Sequence, residues 1–166
     1  MIKVGIGQDS HRILEPSGGK ALVLGGVAVP EAFALEGNSD SDVVLHAVTN
    51  GISGITGKPV LGPVADRMCN AGQKDSAAYL QKALEDLDAM GYRLGHVSVS
   101  LECARPKILP LIPAMTARLS ELTGLSPEDI AFTATTGEGL TDFGKGLGIQ
   151  GFAAVTALRA GAFDQA

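Results

Sequence analysis

The residues best suited to chemistry fall in two short segments. Gly7-Gln8-Asp9-Ser10-His11 ends an apolar run, and Asp42-Val43-Val44-Leu45-His46 opens a helix-like stretch further on. In extended chain, residues two apart project to the same face, so Asp9 and His11 can grip one point together. His46, one helical turn past Asp42, can aim at that point from a second element. One carboxylate and two imidazoles form a typical zinc shell whose fourth position stays open to water or substrate, which suits chemistry better than scaffolding. An Asp-x-His at a strand end is also a common turn with a hydrogen-bonded histidine. His46 tips the balance toward metal, because the chain has three histidines and two fall here. His96, on an expected strand, reads as a surface or packing residue.

Three other patches carry possible chemistry. Thr133-Ala134-Thr135-Thr136-Gly137-Glu138-Gly139 leaves a strand and enters a glycine-rich turn. Its hydroxyls, amides and carboxylate could hold phosphate oxygens and a divalent cation; a polar hairpin loop is the plainer alternative. Gly144-Lys145-Gly146-Leu147-Gly148 offers a cation in a glycine-spaced turn suited to an anion, but without the Walker pattern of a P-loop. Ala104-Arg105-Pro106-Lys107 lies just beyond a strand, where open α/β sheets often bind ligands. Its two cations could meet phosphates or simply face solvent.

The elements that must position these residues alternate along the chain. An apolar strand is expected over about 2–7, and short β-rich runs broken by Gly25-Gly26 suggest a hairpin within 21–30. A helix is expected over 41–55 behind possible caps at Asn38, Ser39 and Asp40. The Gly- and Pro-rich segment 57–74 reads as a loop with room for one short helix at 64–69. Asp75-Ser76 caps an amphipathic helix carrying Leu80, Leu84, Leu87 and Met90, which Gly91 ends. A strand over 94–103, a helix over 110–123 stopped by Gly124, a strand over 130–135 and a last strand over 149–158 complete the pattern. This predicts one α+β domain over residues 1–159, with a mixed sheet covered by helices on one face. Residues 160–166 read as a flexible tail.

Composition narrows the function classes. At 166 residues the chain is long enough for one sizeable core, and 45% hydrophobic with 19% charged residues is ordinary for a globular protein. The net charge of −5 and the lack of a basic cluster argue against a nucleic-acid surface. Neither a membrane span nor a signal peptide is expected. Cys69 and Cys103 lack metal-type spacing and fit reduced thiols in a cytoplasmic protein.

Taken together, five ordered blocks resemble the 2-C-methyl-D-erythritol 2,4-cyclodiphosphate synthase family. They are Gly7-x-Asp9-x-His11, Gly25-Gly26-Val27-x-Val29-Pro30, Ser39-Asp40-x-Asp42-Val43-x-Leu45-His46-Ala47, Arg105-Pro106-Lys107-x-Leu109-Pro110-x-Ile112-Pro113-x-Met115 and Ala134-Thr135-Thr136-x-Glu138. The resemblance runs over about residues 1–158 and implies a homotrimer with active sites between adjacent subunits. It implies zinc on Asp9, His11 and His46, and magnesium or manganese held through Glu138. It implies conversion of 4-diphosphocytidyl-methylerythritol 2-phosphate to the cyclic diphosphate with release of CMP. It also assigns Thr135 and Thr136 to the diphosphate, Ala104 to Leu109 to the cytidine end, and Lys107 to the phosphates. It has Asp42 orient the site or meet the sugar-alcohol end, counts Asn38 and Ser39 among the substrate-binding residues, and makes Asp42, Thr136 and Glu138 the catalytic set.

The chain also departs from the family pattern. Asn38 stands where a histidine is usual, and an amide hydrogen-bonds a hydroxyl but does not titrate near neutral pH. Asn50 replaces an aspartate, Lys145 stands where an arginine is frequent, and the 57–74 loop lacks or moves the usual acid. These changes gather at the erythritol end. They keep open a zinc-dependent phosphotransferase or hydrolase acting on a related cytidine diphosphate compound, and a non-catalytic trimer that binds a nucleotide or isoprenoid diphosphate.

Overall fold

The computed structural model describes residues 1–161. The tail expected over 160–166 lies outside the described residues from 162 on. Its first strand, β1 (Ile2–Leu14), is followed by the short strands β2 (Leu22–Leu24), β3 (Val27–Val29) and β4 (Ala34–Leu35). Three helices come next, α1 (Val43–Thr56), α2 (Pro63–Asn70) and α3 (Ser76–Asp88). Then follow β5 (Tyr92–Glu102), α4 (Ile112–Thr123), β6 (Ile130–Thr135) and β7 (Gly148–Arg159). The main sheet has the order β4-β1-β7-β5-β6, antiparallel except for the β5–β6 pair, and β2 and β3 form the separate hairpin. The sheet is therefore mixed, as the sequence pattern predicts.

Glycines let the sheet and α1 meet closely. On β1 the odd-numbered residues face the helix, and a Cβ added to Gly5 or Gly7 would lie 2.0 Å from the Gly51 carbonyl oxygen or 1.9 Å from that of Ala47. Only hydrogen fits in that space, so α1 rides directly on the strand that carries Asp9 and His11. The even-numbered residues of β1 turn the other way. Ile2, Val4 and Ile6 are 63%, 66% and 74% exposed, and with Phe152 of β7 they form an apolar strip on the open face of the sheet.

Two boundaries differ from expectation. β1 continues well past residue 7, because its ladder with β7 runs from Ile2↔Leu158 to Arg12↔Gly148 and β4 then pairs with Ile13 and Leu14. Asp9 and His11 therefore stand inside a long strand rather than in a turn. The cap of α1 is Asp42 rather than Asn38, Ser39 or Asp40, since only its carboxylate reaches the free N–H groups of Val44 and Leu45. At α3 the cap is Asp75, as the sequence predicts, and α2 fills the expected short helix.

Candidate active site

Asp9, His11 and His46 converge as their spacing predicts. Asp9 Oδ2 lies 2.9 Å from His11 Nε2 and 3.0 Å from His46 Nδ1, and the two nitrogens are 3.3 Å apart. Two ligands about 2.0–2.1 Å from a tetrahedral zinc stand about 3.3–3.4 Å from each other. The three donor atoms fit one such ion, with a small expansion. Among the described residues this is the group of His, Cys, Asp and Glu side chains that could hold a metal. Burial works to raise the Asp9 carboxyl, but hydrogen bonds from His11 and His46 and their charge outweigh it and hold the group below the ordinary aspartate value.

A cavity of about 200 Å³ opens over these donors. Asn38 and Ser39, from the loop before α1, line one side, and Ala65, Asp66 and Cys69 of α2 with Tyr79 of α3 line the other. The wall thus carries one carboxylate from the segment 57–74, that of Asp66. Asn50 does not serve this cavity. Its amide donates to the Gln8 carbonyl over 2.9 Å and ties α1 to β1, a bond that an aspartate carboxylate at that site would not make.

Asp42 borders neither this cavity nor the one between Cys103 and Thr136. It is fully buried, and its carboxylate accepts four backbone N–H groups, from Gly25, Gly26, Val44 and Leu45, at 2.9, 2.6, 3.0 and 3.1 Å. Desolvation pushes its carboxyl up to about 6 against the pull of the Gly26, Leu45 and Gly25 amides. The catalytic role expected for it is corrected to that of a cap locking the Gly25-Gly26 turn onto α1. Sequence reasoning also passes over Lys20, whose ammonium donates to the Leu35 and Gly37 carbonyls and to Ser41 Oγ at 2.7, 3.1 and 2.7 Å. It clamps the loop that carries Asn38 and Ser39. Ser41 sits there at φ 60, in the left-handed region, and no signal in the sequence marks this strain.

A second cavity of about 420 Å³ lies across the sheet, where β5 and β6 end, and no residue lining it lines the first. Ala104, Lys107, Leu109, Thr135 and Thr136 all border it, together with Cys103, Pro106, Ile108, Pro110 and Ala134. Burial, aided by the charge of Glu102, pushes the Cys103 thiol up to about 11, so it stays protonated and is no nucleophile. Glu138 follows in an exposed turn at φ 51, with its N–H held by Thr136 Oγ1 at 3.4 Å. Glu102 supports the turn. It accepts the Thr141 hydroxyl and lies where any Cβ on Gly137 would stand, 2.2 Å away. Lys145 is exposed and 3.7 Å from Asp142, and His96 is half-buried on β5, apart from the metal group.

Comparison with known proteins places this arrangement. The pattern of the YgbB family matches residues 2–158. The 2-C-methyl-D-erythritol 2,4-cyclodiphosphate synthase of Chlamydia muridarum (strain MoPn / Nigg) is 42% identical over 157 residues, 94% of this chain and 88% of that one. The solved structure of the synthase from Plasmodium vivax aligns with a TM-score of 0.79 and 26% identity over 96% of this chain and 99% of that one. A solved 2C-methyl-D-erythritol-2,4-cyclodiphosphate synthase in a CDP-bound form aligns with a TM-score of 0.78 and 28% identity over 94% of this chain and all of that one. By its sequence along nearly its whole length, and by its fold, this chain belongs to the YgbB family of 2-C-methyl-D-erythritol 2,4-cyclodiphosphate synthases.

Proposed function

We propose that the protein converts 4-diphosphocytidyl-2-C-methyl-D-erythritol 2-phosphate to 2-C-methyl-D-erythritol 2,4-cyclodiphosphate with release of CMP, in the non-mevalonate isoprenoid pathway. The observation that carries this is the three-donor group of Asp9, His11 and His46 beneath an open cavity, in a chain of this family. An oxygen of the substrate's own 2-phosphate forms a bond to the β-phosphorus. The bond from that phosphorus to the bridging oxygen breaks, and its electron pair leaves with CMP. No protein nucleophile is needed, so the residues have two tasks, to fold the substrate back on itself and to balance its charge.

Asp9, His11 and His46 would hold zinc, and Glu138 would hold magnesium or manganese. These ions supply Lewis acidity and charge neutralisation at the phosphates. Asn38, Ser39 and Asp66 face the sugar-alcohol hydroxyls, with two acceptors and an amide that replaces the usual imidazole. Thr135 and Thr136 hold the diphosphate. Ala104, Lys107 and Leu109 border the cavity for the cytidine end, where Lys107 faces the phosphates, and Lys145 adds positive charge at the rim.

The two cavities share no lining residue in one chain, which favours an active site completed by a neighbour. The apolar strip of Ile2, Val4, Ile6 and Phe152 supports the same reading, because an exposed patch of this kind marks an interface. The assembly is a homotrimer with sites between adjacent subunits. The cytoplasm is its compartment, in keeping with two unpaired cysteines.

The test is turnover of the cytidyl substrate with zinc and magnesium, followed by CMP release and phosphorus NMR of the product. Cyclic diphosphate is expected. CMP with an open-chain product would replace this reading with a hydrolase, and no CMP from folded, zinc-loaded protein would mean a different substrate.

A further inference from the structure

His46 has a partner behind the metal group. Its Nε2 lies 2.8 Å from Ser76 Oγ, and the Ser76 hydroxyl in turn donates to Asp40 Oδ1. The Ser76 backbone N–H donates to Asp40 Oδ2 over 3.0 Å. Ser76 is fully buried and His46 is 7% exposed, so water does not compete for these groups.

Chemistry sets the direction of this chain. A carboxylate oxygen only accepts, so the single hydroxyl proton of Ser76 points to Asp40. The hydroxyl then offers His46 a lone pair, and Nε2 must carry the ring proton that fills it. With a metal bound in place of the Nδ1 contact to Asp9, a neutral imidazole has one N–H, so Nδ1 keeps its lone pair for the point shared with Asp9 and His11. That is the tautomer a metal-binding histidine needs.

We infer that Ser76 is a positioning residue for the metal centre. Through an Asp40–Ser76–His46 chain it fixes both the tautomer and the ring orientation of His46. The inference rests on the metal reading of Asp9, His11 and His46 given above. A purely structural role for the hydroxyl is poorly supported by the contacts. Asp75 caps α3 by accepting from Ala77 N at 2.8 Å, and the Ser76 backbone N–H alone keeps a tie between the start of α3 and Asp40. Ser76→Ala leaves both in place and deletes the hydroxyl's two bonds, to His46 Nε2 and to Asp40 Oδ1. Asp40→Asn keeps the shape but gives the chain a donor where it needs an acceptor.

The experiment is competition of each protein with a chromophoric chelator for zinc alone, beside a thermal melt of the metal-free forms. The native chain is expected to hold one zinc that His46→Ala loses. Ser76→Ala and Asp40→Asn should bind it about 10–100-fold more weakly, with Ser76→Ala still folding cooperatively and melting only a few degrees below the native chain. Zinc affinity within about twofold of native in a folded Ser76→Ala protein would overturn the inference, since removal of such a partner ordinarily has the larger effect. A native chain that holds no zinc would instead overturn the metal reading and the inference with it. Long-range proton–nitrogen NMR of the zinc-loaded native protein needs no variant. A protonated Nε2 and a metal-bound Nδ1 on His46 are expected, and the reverse assignment would overturn the inference.

Discussion

The cavity over Asp9, His11 and His46 and the cavity between Cys103 and Thr136 are walled by different kinds of group. Carboxylates, imidazoles, an amide and hydroxyls line much of the first, and its metal-facing groups are tied across elements, Asp9 to His46 and His46 to Ser76. Aliphatic residues, prolines and two threonines line most of the second, on two loops that leave the neighbouring parallel strands β5 and β6. The first therefore depends on side-chain chemistry at single positions, and the second on loop course and backbone. Substitutions should divide accordingly, into those that lose the metal and those that weaken ligand binding with the metal retained.

The largest expected effect is at the first cavity. His46→Ala removes one of three ligands and should lower turnover by about a thousandfold or more, equivalent to about 4 kcal/mol, with zinc content falling in parallel by elemental analysis. Gly7→Ala sharpens the structural side of the contrast. Its methyl would collide with the Ala47 carbonyl oxygen, so urea unfolding should show a loss of about 3 kcal/mol, at the upper end of ordinary overpacking. Lys107→Met at the second cavity should reduce kcat/KM by about 10–100-fold while zinc content stays native, the usual range for one charge-assisted contact. Smallest is Asn50→Asp, which loses the donor to Gln8 and should cost about 1–2 kcal/mol of stability in the same unfolding assay. Loss of zinc in Lys107→Met, or its retention in His46→Ala, would break the division between the two cavities.

Much of the first cavity was legible because strand and helix periods translate spacing directly into geometry. Asp9 and His11 share a face because they are two apart on a strand, and Asp75 is a readable cap because an amphipathic stripe starts beside it. The role of Asp42 was not legible. Asn38, Ser39, Asp40 and Asp42 are all cap-type residues, and only the path of the chain decides which one reaches the free amides. The same holds for Ser76, whose type suggests a helix start but whose hydroxyl is turned to His46. The closeness of α1 to β1 was written in Gly5, Gly7 and Gly51, yet a single strand cannot say which helix will lie against it. The second cavity was legible in part from its residues, as a strand-end loop with Lys107 and a threonine-rich turn, but its assignment to the cytidine end came only through resemblance, since Ala104, Leu109 and Thr135 have no distinctive chemistry of their own.

The central claim is that the two cavities, separate within one chain, form one site across a subunit boundary. Co-expression of His46→Ala with Glu138→Ala chains, each inactive alone, tests it most directly. In a randomly mixed trimer a shared site has a sound metal half and a sound nucleotide half with a probability of about one quarter, so about a quarter of native turnover should return. No recovered turnover from verified mixed trimers would contradict the account, because it would mean that each chain must supply both halves of its own site.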